Sequence, residues 1–143
     1  MNKVTLWLVA IFLVGAVEIA EAQQQAKPKI GFLGTRSAGP DSGLELLRRE
    51  LRGIGYVEGK NIAIESRYAD NKLDRLPALA DELVRLKVDV LVAGGTNDAQ
   101  AAKNATTTIP IVFYNVGDPV AAGLVDSLAR PGGNITGFTT ITS

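Results

Sequence analysis

The chain has 143 residues, with 15 basic and 15 acidic side chains, 46% apolar and 21% charged residues, and neither Cys nor His. That length allows one domain with barely room for a second, and the composition is neither disordered nor collagen-like. Without Cys or His there is no disulfide framework, thiolate metal site, cysteine nucleophile or imidazole base, and the balanced charge gives no electrostatic case for nucleic acid or an anionic membrane.

The first segment reads as an address. Asn2 and Lys3 form a weakly positive start, Val4 to Val17 is an apolar run, and Ala20-Glu21-Ala22 places small residues at the −3 and −1 positions of a cleavage site. This is the three-part layout of a secretory signal peptide over residues 1–22, cleaved after Ala22. The run is shorter than the roughly 20 apolar residues a bilayer span needs. Glu18 and Glu21 end it. The reading therefore expects export to the periplasm, with no stable membrane anchor after cleavage. Residues 23–28, Gln23-Gln24-Gln25-Ala26-Lys27-Pro28, read as a polar linker.

From residue 29 onward, strand and helix patterns alternate. Lys29 to Gly34 is a short apolar run stopped by glycine, the pattern of a buried strand. Ser42-Gly43-Leu44-Glu45 has the capping-box form, and Leu44, Leu47, Leu51 and Ile54 follow at helical spacing before Gly53 and Gly55. In Ile62 to Tyr68 apolar residues alternate with polar ones, which predicts a less covered, edge strand. The stripe Leu76, Leu79, Leu83, Leu86 predicts a helix over about 74–87, with Pro77 in its tolerant first turn.

Val88 to Ala93 is the third predicted strand, ended by Gly94-Gly95. Thr96 is placed to cap a short helix from Asn97 to Ala105, and Ile109 to Tyr114 is the fourth strand. Asp118 as N-cap and Pro119 as first helical residue predict a fourth helix running to Arg130, with its stop at Pro131-Gly132-Gly133. Asn134 to Thr139 is the fifth strand. Five near-continuous apolar strands joined by helices predict an α/β fold: a doubly wound five-stranded parallel sheet with helices on both faces.

Ligands of such sheets bind outside the carboxyl ends of the strands. Four segments meet at that edge: Thr35-Arg36-Ser37, Gly95-Thr96-Asn97, Asn115 to Asp118, and Thr139 to Ser143. Thr96 offers a hydroxyl at a helix N-terminus, where an anion is favoured, and equally reads as an ordinary cap. Arg36 is the strong cation of these loops. It suits an anionic ligand, although a solvated loop arginine fits the same position. Asn115 supplies both a donor and an acceptor or simply orders its turn, Gly95 permits tight backbone geometry, and Asp118 reads first as a cap.

The sequence contains no G-x-G-x-x-G after the first strand, no phosphate loop and no G-x-S-x-G elbow. Asp41, Asp70, Asp98 and Asp118 are scattered and form no paired-carboxylate pattern. Binding is thus expected rather than catalysis, with no cofactor and no metal.

Several runs carry a family resemblance. They are Gly55-Tyr56-Val57-Glu58-Gly59-Lys60-Asn61-Ile62, Asp74-Arg75-Leu76-Pro77-Ala78-Leu79-Ala80, Thr108 to Phe113 followed by Val116-Gly117-Asp118-Pro119-Val120, and Leu128 to Gly137. Together they resemble the substrate-binding proteins of ABC importers, in the tryptophan/tyrosine-type group, with a type I periplasmic-binding fold. The resemblance covers residues 29–143. It implies the N-terminal lobe of a two-lobed protein, with the second lobe absent from this chain, and a small solute such as an amino acid held noncovalently. It also implies an ABC permease as partner if a second lobe is present. By the family's pattern, the ligand contacts fall on Thr35, Arg36, Ser37, Gly95, Thr96, Asn115 and Asp118. The alternatives are a sensory or interaction domain, a nonfunctional remnant, or a flavodoxin-like nucleotide-binding enzyme.

Overall fold

The structure is a computed structural model that describes residues 2–3, 27–40 and 42–139. The predicted leader from Val4 to Ala22, most of the linker, Asp41, and the last rim residues from Thr140 to Ser143 lie outside the described residues.

The elements are β1 (Lys29–Gly34), α1 (Gly43–Gly53), β2 (Ala63–Tyr68), a 3-10 turn (Leu73–Arg75), α2 (Leu76–Arg85), β3 (Val90–Ala93), α3 (Thr96–Ala105), β4 (Ile111–Val116) and β5 (Ile135–Thr139). The five strands form one sheet in the order β2-β1-β3-β4-β5. Every pairing is parallel. The sheet is therefore the predicted doubly wound parallel layer, and β2 is indeed an edge strand, with all six residues only half-buried.

One face of the sheet carries the main core. Leu33, Leu91, Ala93, Ile111, Phe113 and Ile135 pack in one cluster with Leu79, Ala80 and Leu83 of α2 and with Ala99 and Ala102 of α3. Helix α2 buries Leu76, Leu79 and Leu83 of the predicted stripe, with Ala80 beside them, while Leu86, the fourth, is its half-buried C-cap. Each large buried side chain contributes roughly 1.5–3 kcal/mol. Among the described residues, no helix is long and apolar enough to cross a membrane.

Four expectations are corrected. First, the capping box does not close. Ser42 is the N-cap of α1, but its side chain makes no cap hydrogen bond. Its Oγ is buried without a partner among the described residues. Glu45 turns instead to Arg48, which also donates to Glu58 at 2.6 Å; a guanidinium outcompetes a backbone amide for that carboxylate. Secondly, α3 starts one residue early, with Gly95 as N-cap and no side-chain cap from Thr96. Thirdly, β4 sits two residues further along than predicted. Pro110 has no N–H to give to the ladder, so regular pairing starts after it.

Fourthly, the predicted helix from Asp118 to Arg130 is a chain of turns. Asp118 does cap it, its Oδ1 accepting from the amides of Val120 at 3.1 Å and Ala121 at 2.9 Å. Gly123 then enters the left-handed region at φ +70 and stops the helix after one turn. Leu124 and Val125 are still buried, so the apolar spacing serves packing without a helix.

Candidate functional site

At the carboxyl ends of β1, β3 and β4 the loops enclose a cleft of about 550 Å³. Thr35, Arg36, Ser37, Gly95, Thr96 and Asn115 all line it, whereas Asp118 does not. The structure also brings in residues that motif spacing does not mark: Phe32, Tyr68, Asp98 and Tyr114.

Asp98 is only 2% exposed, on the first turn of α3. Its Oδ1 accepts from the Thr35 hydroxyl at 2.5 Å, which ties the β1 loop to the β3 loop. Burial pushes its carboxyl above the usual range, and hydrogen bonds from the Thr35 hydroxyl and from the amides of Thr35 and Gly94 act the other way. A carboxylate in the first turn is also favoured by the helix dipole. Its one sequence signal is its position three residues after Gly95, where a carboxylate reaches back to first-turn amides. Among several scattered acids, that spacing alone does not single it out.

The rings form the floor. Phe32 is buried between Tyr68 and Tyr114, with ring centroids 6.0 Å and 6.4 Å away. The Tyr114 hydroxyl has no hydrogen-bond partner among the described residues. It lies against two glycines: a Cβ on Gly43 would overlap this oxygen, and one on Gly94 would stand 2.9 Å from it and 3.4 Å from Asp98 Oδ2. Burial, then the charges of Asp98 and Tyr68, push the Tyr114 phenol up.

Asn115 occupies the left-handed region at φ +57, where β4 departs from its register with β5 between Phe113 and Val116. Such an irregularity re-aims a residue at a sheet rim, and asparagine tolerates the conformation better than most. Asn115→Ala is expected to cost about 1 kcal/mol and Asn115→Gly close to nothing, as read by urea denaturation.

The β1 loop is held from the other side by Asp70, which also has positive φ. Its carboxyl lies below the usual range because the Ser37 hydroxyl and then Arg75, at 3.1 Å, hydrogen-bond to the charged form. A depressed native value gives stability that is present above the unfolded pKa, about 3.9, and lost as pH falls through the native value. Stability curves of the wild type and Asp70→Asn are therefore expected to run apart above about pH 5 and to converge in acid. Curves that stay parallel into acid would show that this carboxylate does not hold the loop.

Among the described residues, no group of three or more acidic side chains is placed to hold a metal ion. Arg36 is exposed and has no ion-pair partner among them.

An all-parallel sheet in this order, with a polar and aromatic cleft at its carboxyl edge, is the architecture of one lobe of a periplasmic-binding-protein fold. Residues 42–142 match the family described as ABC transporter substrate binding protein. The chain belongs to that family. It is 37% identical over 124 residues to a tyrosine-binding protein of Clostridioides difficile, an alignment covering 87% of this chain and 32% of that protein.

Its fold matches the ligand-free, open structure of a Clostridium difficile substrate-binding protein with adhesive properties (TM-score 0.76, 36% identity, 81% of this chain and 40% of that one). It also matches an ABC domain from Streptococcus pneumonia in complex with L-Trp (TM-score 0.70, 28% identity, 80% and 39%). The chain thus spans about a third of the curated relative and two fifths of the solved chains.

Proposed function

We propose that this chain is the first lobe of an exported solute-binding protein of an ABC importer, and that its cleft holds a small solute of the amino-acid class without any covalent step. The observation that carries this reading is the convergence of three strand-end loops on one cleft lined by hydroxyls, aromatic rings, helix-end amides and a single cation. Thr35, Arg36, Ser37, Gly95, Thr96 and Asn115 are the proposed contacts on this wall. Asp118 is proposed to shape the β4 turn rather than to touch solute, since its carboxylate is engaged by two amides of its own loop. A tyrosine-binding relative and a neighbour holding L-Trp support an amino-acid ligand.

Closure over the solute requires a second wall, which we assign to the part of the relatives' length that this chain does not span. Solute would favour the closed form, and the closed form would signal the permease. The leader over residues 1–22 would direct the chain to the periplasm.

Two measurements test this. Expression with export, followed by N-terminal sequencing, should find Gln23 first. Calorimetric titration of the purified chain, and of the chain fused to a relative's second lobe, against amino acids and small anions should give tighter binding in the fusion. A fusion that binds nothing removes the transport role.

A further inference from the structure

A second cavity, of about 200 Å³, shares no lining residue with the cleft. It opens between the end of α1 and the loop that leads into β2. Leu51, Tyr56, Val57, Ile62 and Ile64 give it apolar walls, and Arg48, Arg52 and Glu58 add charge. Ile62 is buried, whereas Tyr56 and Val57 are 41% and 39% exposed, and Ile54, next to them in the chain, is 72% exposed.

The loop is braced to hold this shape. Asn61 accepts from the Val57 amide at 2.7 Å through Oδ1 and donates to the Gly55 carbonyl at 2.8 Å through Nδ2. Gly55 and Gly59 take the left-handed conformation, at φ +95 and +85. Arg48 donates to Glu58 at 2.6 Å and so ties the loop to α1. These features account for the glycines, the asparagine and the glutamate of the run from Gly55 to Ile62. They do not account for three large apolar side chains left in water beside a cavity, a pattern that marks interaction sites. A wall already rigid before binding also lowers the ordering cost of binding.

Charge selects the partner. Glu45 and Glu58 are both engaged by Arg48, and Glu50 lies against Arg49. Arg52 in the cavity wall and Lys60 in the loop have no ion-pair partner among the described residues. The surface is therefore apolar with spare positive charge. We propose that it docks a segment of a partner protein that seats an apolar side chain between Leu51, Tyr56 and Val57 and flanks it with carboxylates that meet Arg52 and Lys60. Such a partner leaves the cleft open.

The test is an amide chemical-shift titration of the purified, isotope-labelled chain with three end-blocked hexapeptides: Glu-Asp-Leu-Phe-Glu-Asp, its basic counterpart Lys-Arg-Leu-Phe-Lys-Arg, and the polar Glu-Asp-Ser-Ser-Glu-Asp. The first should shift the amides of residues 51–64 and bind at least about 10-fold more tightly than either of the others. The basic peptide exchanges two exposed attractions for two repulsions, and the polar one has no apolar anchor to bury. Arg52→Glu combined with Lys60→Glu should reverse the preference between the acidic and basic peptides, and Lys60→Glu alone should weaken the acidic one by a few-fold. Failure of the first peptide to move these amides, or equal binding by it and either of the others, would overturn the proposal. So would shifts at the same amides on raising the concentration of the chain alone, which would assign the surface to a second copy.

Discussion

Gly137→Ala is expected to destabilise the protein by about 3 kcal/mol or more. Gly137 lies opposite Phe113 in the β4–β5 ladder. A Cβ there would overlap the Phe113 carbonyl oxygen and stand 2.5 Å from its ring. Neither atom can yield cheaply. The oxygen is backbone of a paired strand, and the ring is only 2% exposed. Relief requires parting β5 from β4, which also loosens the strand that presents Tyr114 and Asn115. Urea denaturation should show a midpoint drop at unchanged slope. Phe138→Ala, one residue along and 75% exposed, should by contrast change stability little. Equal effects of the two would show that β5 is not held in this register.

The second large effect is at the centre of the sheet. Leu91 on β3 is fully buried, and its Cδ2 would lie 2.9 Å from a Cβ built on Gly31 of the neighbouring strand. Leu91→Ala should cost roughly 2–5 kcal/mol for lost burial and the cavity left behind. Gly31→Ala should cost roughly 1–3 kcal/mol, because the added methyl presses on Leu91 and Val88. The two changes act on one volume with opposite sign, so the double variant should be more stable than the sum of the single costs predicts. Strict additivity in the same denaturation assay would mean that β1 and β3 do not interdigitate here.

The sequence carries the fold because the sheet is buried on the side where its pattern is strongest. Continuous apolar runs such as Lys29–Gly34, and the leucine stripe of α2, depend on local spacing, and tertiary packing reinforces it. The departures are local competitions that spacing does not reveal. Ser42 and Glu45 have the letters of a capping box, but Arg48 takes the glutamate. The apolar residues after Asp118 have helical spacing, yet Gly123 at positive φ folds them into turns that bury Leu124 and Val125 all the same.

The cleft is half legible. Loops after parallel strands must meet at one edge, so Thr35 to Ser37, Gly95, Thr96 and Asn115 can be placed from topology alone. Asp98 cannot, because its importance comes from burial and from its bond to Thr35, a residue 63 positions away in sequence. Tyr114 reads only as a strand residue. The glycines at 43 and 94, far apart in the chain, are what leave space for its hydroxyl.

Whether the strand-end loops hold solute is decided by an amide chemical-shift titration of the purified, isotope-labelled chain with L-tyrosine and L-tryptophan, carried to the solubility limit of each. Binding in the cleft predicts shifts gathered at three separated stretches, Thr35–Ser37, Gly94–Asp98 and Tyr114–Asn115, with the rest of the sheet quiet. A spectrum that does not move, or moves only away from these strand ends, would contradict it.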